Sequence, residues 1–64
     1  MSGWEMYPAL IRLGLQFCDD MPAFRRLMSE QAENAAACRA EAPEVADEIR
    51  ALCLAARERL SLAE

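Results

Sequence analysis

The chain has no histidine, no lysine and no threonine, and it carries two glycines and four aromatic residues. Each shortage removes a class of function. Without histidine or lysine, a general base would have to be a carboxylate. The carboxylates cluster at expected helix starts and on polar faces, where capping and solvation account for them. Ser2, Ser29 and Ser61 have no base to activate them. The glycines, Gly3 and Gly14, cannot form a phosphate-binding loop. No catalytic residue and no cofactor-binding residue can be named, and an enzyme is not expected.

Charge excludes a second class. Eleven acidic residues against seven arginines give a net charge of −4. Binding phosphate needs a basic stripe, and none forms: Arg25 and Arg26 stand alone among Asp19, Asp20 and Glu30. Nucleic acid is therefore not an expected partner. No apolar run approaches the roughly 18 residues of a membrane span, so no membrane is expected either. The first residues lack a basic region and a long apolar core, so a signal peptide is not expected. The expected location is the cytoplasm, of the producing cell or of a host.

The three cysteines, Cys18, Cys38 and Cys53, are too far apart in sequence for a local metal motif, and the usual zinc ligand sets lack their histidine. If residues 22–62 form a hairpin, Cys38 and Cys53 lie about 9 Å apart along its axis, beyond disulfide reach. Each falls on an apolar face, where inert core thiols are expected. A thiol redox or metal-binding helical protein is kept as an alternative, testable by replacing all three cysteines.

What the chain does have is a seam. Phe24, Met28, Gln31, Ala35, Cys38, Ala42, Val45, Ile49, Leu52, Ala56 and Leu60 recur every three or four residues, in step on both sides of Pro43. That period buries one helix face against another. The expected fold is all-α and a single domain over 1–64, with helices at about 8–18, 22–41 and 43–62. It forms a short helix plus a helical hairpin, and associates as a dimeric bundle. Pro8 suits the first turn of the first helix, while Gly14 in its middle permits a close helix approach. Asp20 caps the second helix and Pro22 sits in its first turn. Pro43 allows two readings. A tight turn near residues 41–42 can start a third helix, with Arg57 and Arg59 complementing its dipole. Alternatively, one kinked helix of about 40 residues extends roughly 60 Å and needs a partner to hold it.

A chain of 64 residues rich in alanine buries little area, so association is expected to supplement its stability. The first helix has more apolar surface than one core stripe requires. Depending on which side faces in, Leu10, Leu13 and Phe17 or Ile11, Leu15 and Cys18 are left over; Leu54 and Leu62 lie off the third helix's seam. Trp4 and Tyr7 can be core or an interface anchor. The expected interface residues are Trp4, Tyr7, Leu10, Leu13 and Phe17. The expected function is a small acidic module that binds a protein partner, as adaptor, co-chaperone or inhibitor. A second copy of the chain is the simplest partner, giving a homodimer.

The stretch Tyr7-Pro8-Ala9-Leu10-Ile11-Arg12-Leu13-Gly14-Leu15, followed after six residues by Pro22-Ala23-Phe24, resembles the opening of the small tail assembly chaperones of tailed phages and gene transfer agents. The resemblance spans residues 7–24. It implies a phage-type, non-enzymatic protein that binds tail components during assembly. The family continues with an aromatic residue and a Thr-Pro-x-Glu step. This chain instead reads Arg25-Arg26-Leu27-Met28-Ser29-Glu30, and its proline is out of phase by one.

Overall fold

Proline placement and one aspartate set most of the helix boundaries. In the computed structural model, which describes residues 3–63, a 3₁₀ turn over Trp4–Met6 leads into α1 (Tyr7–Gln16). It is followed by α2 (Met21–Glu30), α3 (Ala32–Glu41) and α4 (Pro43–Ala63). Among the described residues there is no strand, and the fold is all-α. Pro8 and Pro22 each occupy the first turn of their helices, where a missing N–H costs nothing. The Asp20 carboxylate accepts from the Ala23 N–H at 2.9 Å, satisfying one of the free donors at the start of α2. Gly3 enters the 3₁₀ turn at φ +80°, a backbone state glycine adopts without strain.

Pro43 opens a new helix rather than kinking an old one. Ala42, at φ −144° and ψ 74°, is the single residue between α3 and α4. Its N–H still reaches the Cys38 carbonyl at 2.7 Å, and its carbonyl already accepts from Val45 and Ala46, both at 3.0 Å. Both helices are thus satisfied across a one-residue corner. The α3 helix then runs back along α4, so that Ala35 and Cys53 line the same groove.

The helix expected over 22–41 is interrupted. Gln31 takes φ −93° and ψ 0° between α2 and α3, although its N–H still bonds the Leu27 carbonyl at 3.0 Å and its own carbonyl still accepts from the Ala35 N–H at 2.7 Å. No proline or glycine lies at that point. The Gln31 carboxamide oxygen accepts the Tyr7 hydroxyl at 2.8 Å and the Asn34 side-chain amide at 3.3 Å, so the bend coincides with a bond to α1. Among the described residues four α-helices result where three were expected.

The 21-residue α4 is the spine, about 31 Å long, and α1, α2 and α3 all pack on it. The core joins Tyr7, Ile11, Leu15 and Cys18 to Phe24, Cys38, Ile49, Ala56 and Leu60. None of the seam positions from Phe24 to Leu60 is exposed. Arg59 does not serve the end of its own helix. Its guanidinium donates to the Leu15 carbonyl at 3.2 Å, at the end of α1, where a positive charge meets the negative pole of that helix.

Candidate protein-binding face

The inner face of α1 consists of Tyr7, Ile11 and Leu15, all buried, and Cys18 continues it just beyond the helix. Each large apolar side chain buried this way contributes roughly 1.5–3 kcal/mol. Gly14 lets α2 come close: a methyl group built there would meet the Leu27 Cδ2 and Cδ1 atoms at 3.3 and 3.4 Å. Arg12 and Gln16 turn toward α4, lining a small cleft with Ala55, Ala56 and Arg59.

These contacts decide which of the two apolar stripes is left over. It is the one made by Leu10, Leu13 and Phe17, which are 62%, 52% and 75% exposed. Met6, in the preceding turn and 68% exposed, extends the stripe by a further four residues. Sequence reasoning did not select Met6, although its spacing from Leu10 carried the signal. On α4, Leu54 and Leu62 are also exposed.

Tyr7 belongs to the chain's own core and not to its free surface, because its ring is buried and its hydroxyl is bonded to Gln31. Trp4 is half-buried against it, with ring centroids 5.2 Å apart in an edge-to-face arrangement of 71°. The Trp4 indole N–H donates to the Glu41 carboxylate at 3.1 Å, tying the first turn to the end of α3. Of the five expected interface residues, the structure brings Leu10, Leu13 and Phe17 together on open surface. It uses Tyr7, and part of Trp4, for the fold.

A second concave feature lies between α3 and α4. This groove, of about 640 Å³, has Tyr7, Cys38 and Ile49 among its lining, together with Arg39, Asp47 and Arg50. Both thiols in it are held toward their protonated forms. Burial raises Cys38 above its ordinary value, reinforced by Glu44 and Glu41. Burial likewise raises Cys53. Cys18 is raised chiefly by burial, opposed by Arg59 and assisted by Asp19 and Asp20. Thiols held protonated are poor nucleophiles. Among the described residues, no three His, Cys, Asp or Glu side chains are grouped to hold a metal ion. No helix there is long and apolar enough to cross a membrane.

Comparison with protein-family models, with curated proteins and with solved structures gives no match to the chain.

Proposed function

We propose that the chain is a non-enzymatic helical module that binds a protein through the outer face of α1, as an adaptor, co-chaperone or inhibitor. The observation that carries this reading is the stripe of Leu10, Leu13 and Phe17, extended by Met6, standing open on a helix whose other face is buried. A contiguous exposed row of large apolar side chains is often functional, marking an interaction surface. Docking would bury the stripe, and the flanking polar residues would set specificity. Leu10 and Leu13 fall in the stretch that resembles tail assembly chaperones, which would make tail components one class of partner.

The test is capture of partners by the full chain from its native cell or host, beside Leu13→Glu and Phe17→Glu chains of equal helicity. The reading expects the captured set, the chain's own copies included, to be lost in both variants. Unchanged capture by both variants overturns it.

A further inference from the structure

Resting on that reading, we infer that the partner on the α1 face is a second copy of this chain, packed antiparallel about a two-fold axis. Met6, Leu10, Leu13 and Phe17 are separated by four, three and four residues, the interval of a two-helix seam. The series reads the same in both directions, so its midpoint lies between Ile11 and Arg12. Turned about that midpoint, Met6 of one copy lies opposite Phe17 of the other, and Leu10 opposite Leu13. Every knob meets an apolar side chain, as an isologous interface requires.

Charge points the same way. A two-fold interface sets each position against its mirror in the series, so any charge on the face would need an opposite charge at the mirrored position, and this face carries none to match. Arg12 is the one charged residue between Met6 and Phe17, and it lines the cleft on the α4 side instead. Exposed Ala9 is small enough to let the helix backbones approach.

Area is sufficient for a small interface. At their observed exposures the four residues present on the order of 500 Å² per chain, about a tenth of its 4734 Å² surface. With all four side chains covered, two copies bury about 1,000 Å², the lower limit for a specific interface, which suits a reversible dimer. Because a chain this short buries so little core of its own, the added burial matters to its stability.

Sedimentation equilibrium of the full chain, from about 1 µM to about 1 mM, tests the inference. The mass should rise reversibly from 7.2 kDa to twice that value. Leu13→Glu should weaken association by about 30-fold or more, as expected of a central apolar contact, with unchanged helicity at low concentration. Leu13→Met should still associate. Oxidising a mixture of Leu10→Cys and Leu13→Cys chains should give the 10-to-13 crosslink in preference to 10-to-10, as mapped by mass spectrometry. A wild-type chain that stays at 7.2 kDa throughout overturns the homodimer, as does Leu13→Glu associating like wild type, or a dominant 10-to-10 crosslink. A monomeric wild type leaves the broader reading standing if capture of another protein is still lost in Leu13→Glu. That reading falls only if neither self-association nor capture responds.

Discussion

Helices α1 and α3 have the same length, ten residues, and meet opposite difficulties. In α1 there is more apolar surface than the fold can use: Tyr7, Ile11 and Leu15 are buried, yet Leu10 and Leu13 stand open. In α3 there is hardly enough, with Cys38 its one buried side chain and Ala35 and Ala37 half-buried. The first helix is anchored by packing. The second is held by alanine's helix propensity, by the one-residue corner at Ala42 and by a fully enclosed thiol. The surplus on one helix and the deficit on the other separate the part of the chain proposed to serve recognition from the part that completes the fold.

The largest effect is expected on the buried face of α1. Ile11 is 3% exposed, and Ile11→Ala should cost about 2–4 kcal/mol in a denaturant titration. Chains of this size hold only several kcal/mol in all, so the variant should be left with a small remainder of its stability. Its neighbour Leu10→Ala should change monomer stability by no more than about 0.5 kcal/mol. Comparable losses at the two positions would show that the faces of α1 have been misassigned.

A smaller effect is expected in α3. Ala36 is exposed, so Ala36→Gly removes no packing and should cost close to the intrinsic propensity difference, about 1 kcal/mol. Amide hydrogen exchange should find α3 opening at lower free energy than α1, and this variant should lower it further. Protection in α3 equal to that in α1 would mean that packing, not propensity, holds it.

Alkaline pH probes the buried thiols and Tyr7. All are raised in the folded chain, chiefly by burial, so folding favours their protonated forms. The unfolded chain therefore releases protons first. This stabilisation is complete below the ordinary thiol value of 9.0 and is lost as pH climbs through the raised folded values. The melting temperature should fall as pH rises above about 9, and less steeply in Cys38→Ala. A rising melting temperature over that interval would contradict the burial of these groups.

The smallest effect belongs to Gly14→Ala. The added methyl meets the mobile ends of the half-buried Leu27 side chain, which can shift by a few tenths of an ångström. The gain in helix propensity should then survive in part, leaving the chain more stable by a few tenths of a kcal/mol. A loss would mean that the α1–α2 approach is rigid.

Much of this architecture was legible from periodicity and end signals. The seam marks the buried positions on α2, α3 and α4 because a regular helix repeats its face every three or four residues. Asp20 and Pro22 mark the start of α2 through one hydrogen bond and one missing N–H. The break at Gln31 was not legible, since no local residue forbids helix there and the bond it makes comes from Tyr7. The reach of Arg59 to the Leu15 carbonyl was hidden for the same reason. Both depend on elements distant in sequence. The two apolar stripes of α1 were visible, but their orientation follows from Gly14 against Leu27 and from Arg12 lying toward α4. For that reason Tyr7 could not be told from an interface residue in advance, nor Leu13 from Leu15 as the side chain left open.

The central claim is that the outer face of α1 is surplus to the fold and serves an interface. The most direct test is a paired measurement on Leu13→Glu: thermal unfolding at low concentration, and mass in solution at high concentration. The account predicts monomer stability within about 0.5 kcal/mol of wild type, because Leu13 is already open to water, together with loss of association. A Leu13→Glu chain that unfolds as a monomer, or that associates as strongly as wild type, would contradict it.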